Sequence, residues 1–150
     1  MGFIESIKEA ARKTKEKAEE NRKEKLRLAA ELNAEKERAE QEAKEANRIK
    51  VEAKRKKLGL PQGKIYYMTY KDKGDNYSFR DIEIIKNDYK NDTLYFYAFC
   101  HLKVAIRTFK AESVIYLSCE GQKIKDPWAY INSYEEPADI AAWAADNLAE

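Results

Sequence analysis

Two patterns of hydrophobic and polar residues divide this chain near Leu58. Before that residue, Ala, Glu, Lys and Arg dominate, Pro is absent, and large apolar residues recur only at wide intervals. This composition predicts one long helix over residues 1–58. After Gly63, β-branched and aromatic runs alternate with clusters of turn residues, which is typical of short strands. The predicted strands lie near residues 64–70, 77–85, 93–101, 105–111 and 113–119.

The long helix has a weak heptad seam. Most of its seam positions hold Ala or polar residues, which bury little area in each layer. Two interpretations stay open: the helix mediates homo-oligomerisation, parallel or antiparallel, or it is a single solvated helix supported by i,i+4 pairs of Glu and Lys. The large apolar seam residues are Ile4, Ile7, Leu28, Leu32 and Ile49.

Turn residues set the connections between the predicted elements. Gly59 and Pro61 end the helix and place a linker at residues 59–63. Turn clusters at 73–76 and 87–92 join consecutive strands, so residues 64–131 should form an antiparallel meander that can close as a small β-barrel. Within this range, residues 121–131 are expected to form a turn and an extended edge segment.

The tail, residues 132–150, should contain a short helix that begins near Pro137. Its apolar residues Ile140, Trp143, Ala144 and Leu148 recur at helical spacing and should cover the barrel or a partner. The fold class is therefore α+β, with a long N-terminal helix, a small antiparallel barrel and a short C-terminal helix. We expect residues 64–150 to fold without the long helix.

The charges are divided between the two parts. Residues 1–58 hold 18 Lys and Arg against 13 Asp and Glu, and the remainder holds 11 against 14, so the net charge of +2 combines +5 with −3. Attraction for polyanions should therefore start at the helix, unless its mixed charges only solvate it. No apolar run is long enough for a signal peptide or a membrane span. We expect a cytoplasmic protein with no membrane span.

Few residues indicate catalysis or metal binding. His101 is the only histidine, and no Ser, Cys or carboxylate stands at a recognisable spacing from it. Cys100 and Cys119 lie in apolar runs without metal-ligand spacing, which predicts buried, reduced thiols. The chain has no phosphate-binding glycine loop and no hydrolase or metalloprotease motif. We predict a protein that is not an enzyme and that uses no metal and no cofactor.

Cations and aromatic rings occur together in the predicted strands. This combination is what a phosphate-bearing base requires. The alternative interpretation is that the rings form the barrel core and the cations a solvated rim. The residues concerned are Arg80, Lys103, Arg107 and Lys110, with Tyr67, Tyr95, Tyr97 and His101.

One stretch of the chain resembles a known family. Residues 94–114 (LYFYAFCHLKVAIRTFKAESV) are similar to the signature of the WYL domain, in which a Trp-Tyr-Leu opening leads into an A-[YF]-C-x-L-R turn and an R-x-F-[RK] strand. Upstream, residues 70–74 and 78–82 resemble the family's Gly turn and Ser-x-Arg strand, so the resemblance spans about residues 65–118. The chain departs from the family pattern at Leu94, Ile84, Lys103, Val104 and Ser113, where the family has Trp, Pro, Arg, Gly and Arg.

The resemblance implies an SH3/Sm-like barrel of the kind found in bacterial regulators, which senses a nucleotide or single-stranded nucleic acid. On this basis Arg107 should be the main anion contact, supported by Arg80 and Lys110 and by Lys103 in the turn, with Tyr95 or His101 stacking. The helix would set the oligomeric state. The alternative is a protein–protein adaptor with no small ligand, encoded in a phage or mobile element.

Overall fold

The computed structural model describes residues 2–148 and confirms the α+β arrangement. The long helix α1 spans Phe3–Leu58, a six-stranded antiparallel sheet follows, and two short helices close the described part of the chain. A one-turn 3-10 helix at Ala111–Ser113 separates the fourth and fifth strands. The remaining elements are β1 (Tyr66–Lys71), β2 (Tyr77–Lys90), β3 (Thr93–Cys100), β4 (Ala105–Lys110), β5 (Val114–Cys119), β6 (Gln122–Lys123), α2 (Pro127–Asn132) and α3 (Ala138–Asn147).

The chain divides into two compact units, Met1–Glu45 and Ala46–Glu150. In the first unit every described residue is exposed, so this stretch of helix has no core of its own. Its surface carries ion pairs at i,i+3 and i,i+4 spacing, such as Arg12 with Glu9 and Glu16. Each such exposed pair contributes only a few tenths of a kcal/mol. None of the helices in residues 2–148 is long and apolar enough to cross a membrane.

In the second unit, four consecutive strands form a meander and β5 returns to pair with β1. The order is β4-β3-β2-β1-β5-β6. The hairpin between β2 and β3 turns at Asn91 and Asp92, whose φ angles of 50° and 64° are those of a type I′ turn. The six-residue turn predicted at 87–92 is therefore wrong. Residues 87–90 continue β2, because they pair with β3 and the Asn87 side chain donates to the carbonyl of Ile131 at 2.7 Å.

The sheet curls so that β1 and β4 approach each other. A register shift between Ile84 and Lys86 bends β2. The backbone N–H of Lys110 donates to the hydroxyl of Tyr70 at 3.1 Å, and the rings of Tyr70 and Phe109 lie 5.1 Å apart in an edge-to-face arrangement. Within residues 2–148 no backbone pairing joins β4 to β5 or β6, so side chains rather than a hydrogen-bonded ladder bridge this side of the curled sheet.

Apolar residues cover both faces of the sheet. The inner face carries a core, called here the inner core, to which all the long strands and α2 contribute. The outer face carries a second, smaller core, called here the outer core, in which the end of α1 and α3 pack on β2 and β3. A large apolar side chain buried in either contributes about 1.5–3 kcal/mol. The inner core contains Tyr66, Met68, Ile82, Ile84, Leu94, Phe96, Ala98, Cys100, Phe109, Ala111, Val114, Leu117 and Ile131. The outer core contains Val51, Leu60, Ile85, Phe99, Ile140, Trp143 and Ala144.

The tail differs from the sequence prediction at one place. Residues 127–132, expected to be extended, form α2, because Asp126 caps the helix by accepting from the N–H of Ala129 at 3.0 Å and Pro127 occupies its first turn. The helix predicted near Pro137 is confirmed as α3, which buries Ile140 and Trp143. Both cysteines are free thiols.

Candidate anion-binding surface

Arg80 is held in place on β2 by three contacts. Its Nε donates to Ser78 Oγ at 3.1 Å, and Nη1 lies 3.5 Å from the Sγ of Cys100. The guanidinium carbon lies 5.5 Å from the centroid of the Phe109 ring. The side chain is half-buried, so one plane of the guanidinium rests on Phe109 while the group keeps access to solvent.

Arg107 lies on the same face of the sheet as Arg80. It stands two residues before Phe109 on β4, and residues two apart on a strand point to the same side. Its register partner on β3 is Ala98, a small residue of the inner core. Arg107 is exposed. Phe109 therefore lies next to both arginines, beneath the guanidinium of Arg80 and two residues along β4 from Arg107.

Neither arginine has an acidic partner. Among the described residues no carboxylate lies within 4.0 Å of the guanidinium of Arg80 or Arg107, although ion pairs are frequent elsewhere. A guanidinium is weakly hydrated and presents a planar array of donors that matches carboxylate and phosphate oxygens. The pair, with the hydroxyl of Ser78, is a surface suited to an anion.

Tyr95 and Lys110 lie on the opposite face of the sheet. They are register partners on β3 and β4, and Lys110 Nζ lies 6.0 Å from the Tyr95 ring centroid. Next to them Lys86 Nζ lies 5.5 Å from the ring of Tyr97. The alternation of side chains along β4 already places residues 107 and 110 on opposite faces. The sequence therefore contained the signal that these two cations cannot share one site on one face.

His101 takes part in a buried ionic cluster rather than an open site. Its Nε2 lies 2.7 Å from Oε2 of Glu83, a carboxylate that is only 2% exposed. Arg55, from the last turn of α1, donates to both Glu83 oxygens, with Nη1 at 2.7 Å from Oε1, and the N–H of Gly63 donates to Oε1 at 3.0 Å. The cluster joins the end of α1 to β2 and the turn after β3.

The hydrogen bonds of this cluster control its ionisation. Burial alone would raise the pKa of Glu83, but the bonds from His101, Arg55 and Gly63 outweigh it and lower the pKa to about 2. The Glu83 carboxylate in turn raises the pKa of Arg55. Glu83 and Arg55 were missed from the sequence, where the signal was an acid within the apolar run of residues 82–85.

The six residues predicted to bind a ligand therefore occupy separate places. Arg80 and Arg107 share the inner side of the sheet, Tyr95 and Lys110 lie on the outer side, and His101 is paired with Glu83. Lys103 is exposed in the turn between β3 and β4. Only Arg80 and Arg107 of this set lie beside Phe109 on the inner face, and neither pairs with an acid among the described residues.

A separate cleft of about 320 Å³ lies beside the start of β1. Its phenol groups already have partners: the hydroxyls of Tyr66 and Tyr130 bond each other, and the hydroxyl of Tyr134 donates to the carbonyl of Ile84 at 3.2 Å. Burial raises the pKa of Tyr134 to about 12. These groups hold α2 and the following segment against the sheet. No cluster of His, Cys, Asp or Glu in residues 2–148 is arranged to hold a metal ion.

Comparison with solved structures finds similar chains. One of them is proteasome accessory factor B/C (PafBC) of Arthrobacter aurescens, with a TM-score of 0.37 and 24% sequence identity, covering 52% of this chain and 12% of that one. The matched part is thus a small fraction of PafBC, and at this TM-score the similarity supports no functional argument. No protein-family model and no curated protein matches the chain.

Proposed function

We propose that this protein is a non-enzymatic, regulatory binding module that holds an anionic ligand, a nucleotide or single-stranded nucleic acid, on Arg80 and Arg107. One observation carries the proposal: both guanidinium groups lie on one face of the sheet and neither has a carboxylate partner in the described residues. Elsewhere in this unit both Nη groups of Arg55 donate to Glu83. Two neighbouring arginines left without an acid are best explained by an anion from outside the chain.

The roles of the two arginines differ. Arg80 is fixed by Ser78 and Phe109, so it loses little side-chain freedom when an anion binds. Its guanidinium plane, backed by Phe109, is also a surface on which a base can stack. Arg107 is exposed and supplies the second set of donors. A phosphate contacts Arg107 while the attached base lies over Arg80.

The ligand's length determines which residues it uses. A mononucleotide reaches one face only and should depend on Arg80 and Arg107. A single strand that crosses the edge strand β4 also reaches Lys110 and Tyr95 on the other face, where a cation already lies near a ring. Lys110→Ala therefore distinguishes the two ligand classes, since it should weaken binding of an oligonucleotide but not of a nucleotide.

The test is isothermal titration with nucleoside triphosphates and with a short oligo-dT, on wild type and Arg107→Ala. A charged hydrogen bond contributes about 1.5–3 kcal/mol, so we expect affinity to fall about tenfold or more. The melting temperature should stay nearly unchanged because Arg107 is exposed, and binding should weaken as salt rises. Lys125→Ala, an exposed lysine outside the surface, is the matched control. Unchanged affinity in a stable Arg107→Ala protein would refute the site.

A second function, that of a protein–protein adaptor, is favoured by the exposed apolar residues of α1. Phe3, Ile4 and Leu32 are 81%, 68% and 67% exposed, which is unusual for side chains of this size. Self-association of α1 through its heptad seam would cover Ile4 and Leu32. Capture of a different protein by the same seam is the adaptor function.

A further inference from the structure

Helices cover only part of the outer face of the sheet. The end of α1 and α3 pack on β3 and on the second half of β2, which forms the outer core. The first half of β2, with β1 and β5, carries large side chains that stay open to solvent. We call this surface the aromatic face, and its exposed members are Tyr67 (43%), Tyr77 (56%) and Phe79 (61%), with Ile65 (46%) and Ile115 (52%) at its margins.

Strand register arranges the aromatic face in rows. Thr69 of β1 is opposite both Phe79 of β2 and Tyr116 of β5, so these three residues form one row across the sheet. In the next row Tyr67 stands between Asp81 and Ser118, and Ser118 is opposite Lys123 of β6. The rings of Tyr67 and Tyr116 lie 6.1 Å apart, edge to face. The rings of Phe79, Tyr116 and Tyr67 therefore lie in adjacent rows as a group, with polar residues beside them, rather than scattered over the surface.

The charged residues of this face lie at its two sides. Asp81 stands at the β2 side and Lys123 at the β6 side of the same row. Lys123 Nζ lies 5.9 Å from the Tyr116 ring, and neither charge has an ion-pair partner in residues 2–148. Lys71, further along β1, is already paired with Asp75 at 3.3 Å. The negative charge of Asp81 cancels the positive charge of Lys123, so this row has no net charge that would attract a polyanion. This disfavours nucleic acid as the occupant.

We propose that the aromatic face binds a second copy of this chain, sheet to sheet, about a two-fold axis parallel to β1. Such an axis, passing over β1, places β2 of one copy over β5 of the other, beside β6, and keeps each row over itself. Phe79 then lies opposite Tyr116 of the other copy and Tyr67 opposite Tyr67. Asp81 lies opposite Ser118, one strand spacing of about 4.8 Å from Lys123, which the long lysine side chain can span. The surface is thus self-complementary, as a two-fold interface requires, and packed sheets commonly align within about 30°.

The size of the face sets the strength of this dimer. Three strands about five residues long and the two-residue β6, spaced by about 4.8 Å, cover on the order of 300 Å² in projection. The buried surface falls at or below the low end of specific interfaces, about 1,200 Å² in total. We therefore expect a weak dimer that forms at high micromolar concentration.

Sedimentation velocity of the full chain over a concentration series tests the proposal. Asp81→Lys and Lys123→Asp each bring like charges close together at two places in the dimer, and each should weaken association at least tenfold. The double variant Asp81→Lys with Lys123→Asp restores opposite charges and should recover most of the wild-type association. Recovery is the decisive result, since a merely structural defect would be worse in the double variant.

Controls assign the interface. Lys125→Asp carries the same charge change outside the proposed interface and should leave association intact, and thermal melting should show that every variant is folded. Leu32→Lys weakens any association through α1, and it should leave the Asp81 and Lys123 effects unchanged. A wild type that stays monomeric at high micromolar concentration would overturn the proposal, as would association that Leu32→Lys abolishes and the charge changes do not alter. Oligo-dT binding that Tyr67→Ala removes from a monomeric wild type would assign the face to nucleic acid instead.

Discussion

Glu83 is buried, yet it remains ionised because three residues, Arg55, His101 and Gly63, form hydrogen bonds with its carboxylate. A carboxylate with a folded pKa of about 2, against an ordinary value of 4.5, binds protons less readily in the folded than in the unfolded state. Its contribution to stability is therefore fully present above about pH 4.5 and is lost as the pH falls toward 2. The size of this effect is on the order of 3 kcal/mol.

The prediction is that the free energy of unfolding falls steeply between about pH 4.5 and pH 2, and that Glu83→Leu removes most of this slope. Glu83→Leu should also be less stable than wild type at neutral pH by about 3–5 kcal/mol, because Arg55 is left buried without its partner. Urea unfolding at a series of pH values measures both effects. Glu112→Leu, an exposed acid, is the control, and a Glu83→Leu protein with an unaltered pH slope would contradict this account.

Val104, in the turn between β3 and β4, has an unusual backbone conformation. Its φ is 51°, a value that glycine adopts without strain. A β-branched residue in this region costs about 1–2 kcal/mol, and the Val104 side chain packs against the outer core. The contacts of the side chain therefore offset part of the backbone cost.

We expect Val104→Gly to be more stable than Val104→Ala by about 1 kcal/mol, although Gly removes more of the side chain. At a residue with a negative φ, the Ala variant is expected to be more stable than the Gly variant. Thr108, in extended backbone on β4, is the matched position, and Thr108→Gly should be less stable than Thr108→Ala. Thermal melting of the four variants decides the matter, and the same order at both positions would show that the turn is not strained.

At the scale of elements, the sequence predicts most helices and strands but not their packing. The helix propensity of residues 3–58 and the alternation of strands and turns locate α1 and the five long strands within a few residues. The prediction of a turn at 87–92 was wrong because the Asn87 side chain donates a hydrogen bond to the carbonyl of Ile131 in α2, which is distant in sequence. The α2 helix was missed although its cap, Asp126, followed by Pro127, is a local signal.

The end of α1 belongs with the sheet, which changes the expectation that residues 64–150 fold alone. Val51 and Arg55 are 3% and 8% exposed, and Trp143 Nε1 donates to the carbonyl of Leu58 at 2.8 Å. Loss of Arg55 leaves Glu83 without its guanidinium, at a cost of about 3–5 kcal/mol. That is comparable with the whole stability of a small domain, about 5–15 kcal/mol.

The prediction is that a fragment of residues 46–150 melts cooperatively, close to the full chain, and that residues 64–150 do not. Circular dichroism during heating measures this directly. Full-length Arg55→Ala separates the two contributions, because it removes the ion pair and keeps the apolar contacts of Val51 and Leu58. A cooperative transition of the 64–150 fragment near that of the 46–150 fragment would restore the original expectation.

At the scale of the whole molecule, the division into units changes the meaning of the charge. When the sequence is divided at Leu58, the helix has a net charge of +5. The compact units of the structure, however, divide after Glu45. Residues 1–45 hold 12 Lys and Arg and 12 Asp and Glu, so their net charge is zero. Residues 46–150 hold 17 and 15, so the whole charge of +2 lies in the unit that contains the sheet. The sequence could not show this, because the division depends on which helical residues the sheet buries.

If the anion site is Arg80 and Arg107, this distribution predicts that the first unit is not needed for binding. A neutral helix adds no long-range attraction for a polyanion, and no residue of the proposed site lies in it. The 46–150 fragment should therefore bind oligo-dT with an affinity within about twofold of the full chain and with the same dependence on salt. Fluorescence anisotropy at several salt concentrations measures both quantities.

A fragment that binds much more weakly, with a shallower dependence on salt, would show that lysines and arginines before residue 46 contact the phosphates. The helix would then be part of the binding surface. Arg107→Ala in the fragment completes the comparison. If the fragment and the full chain bind through the same site on the sheet, this change should reduce the affinity of both by the same factor.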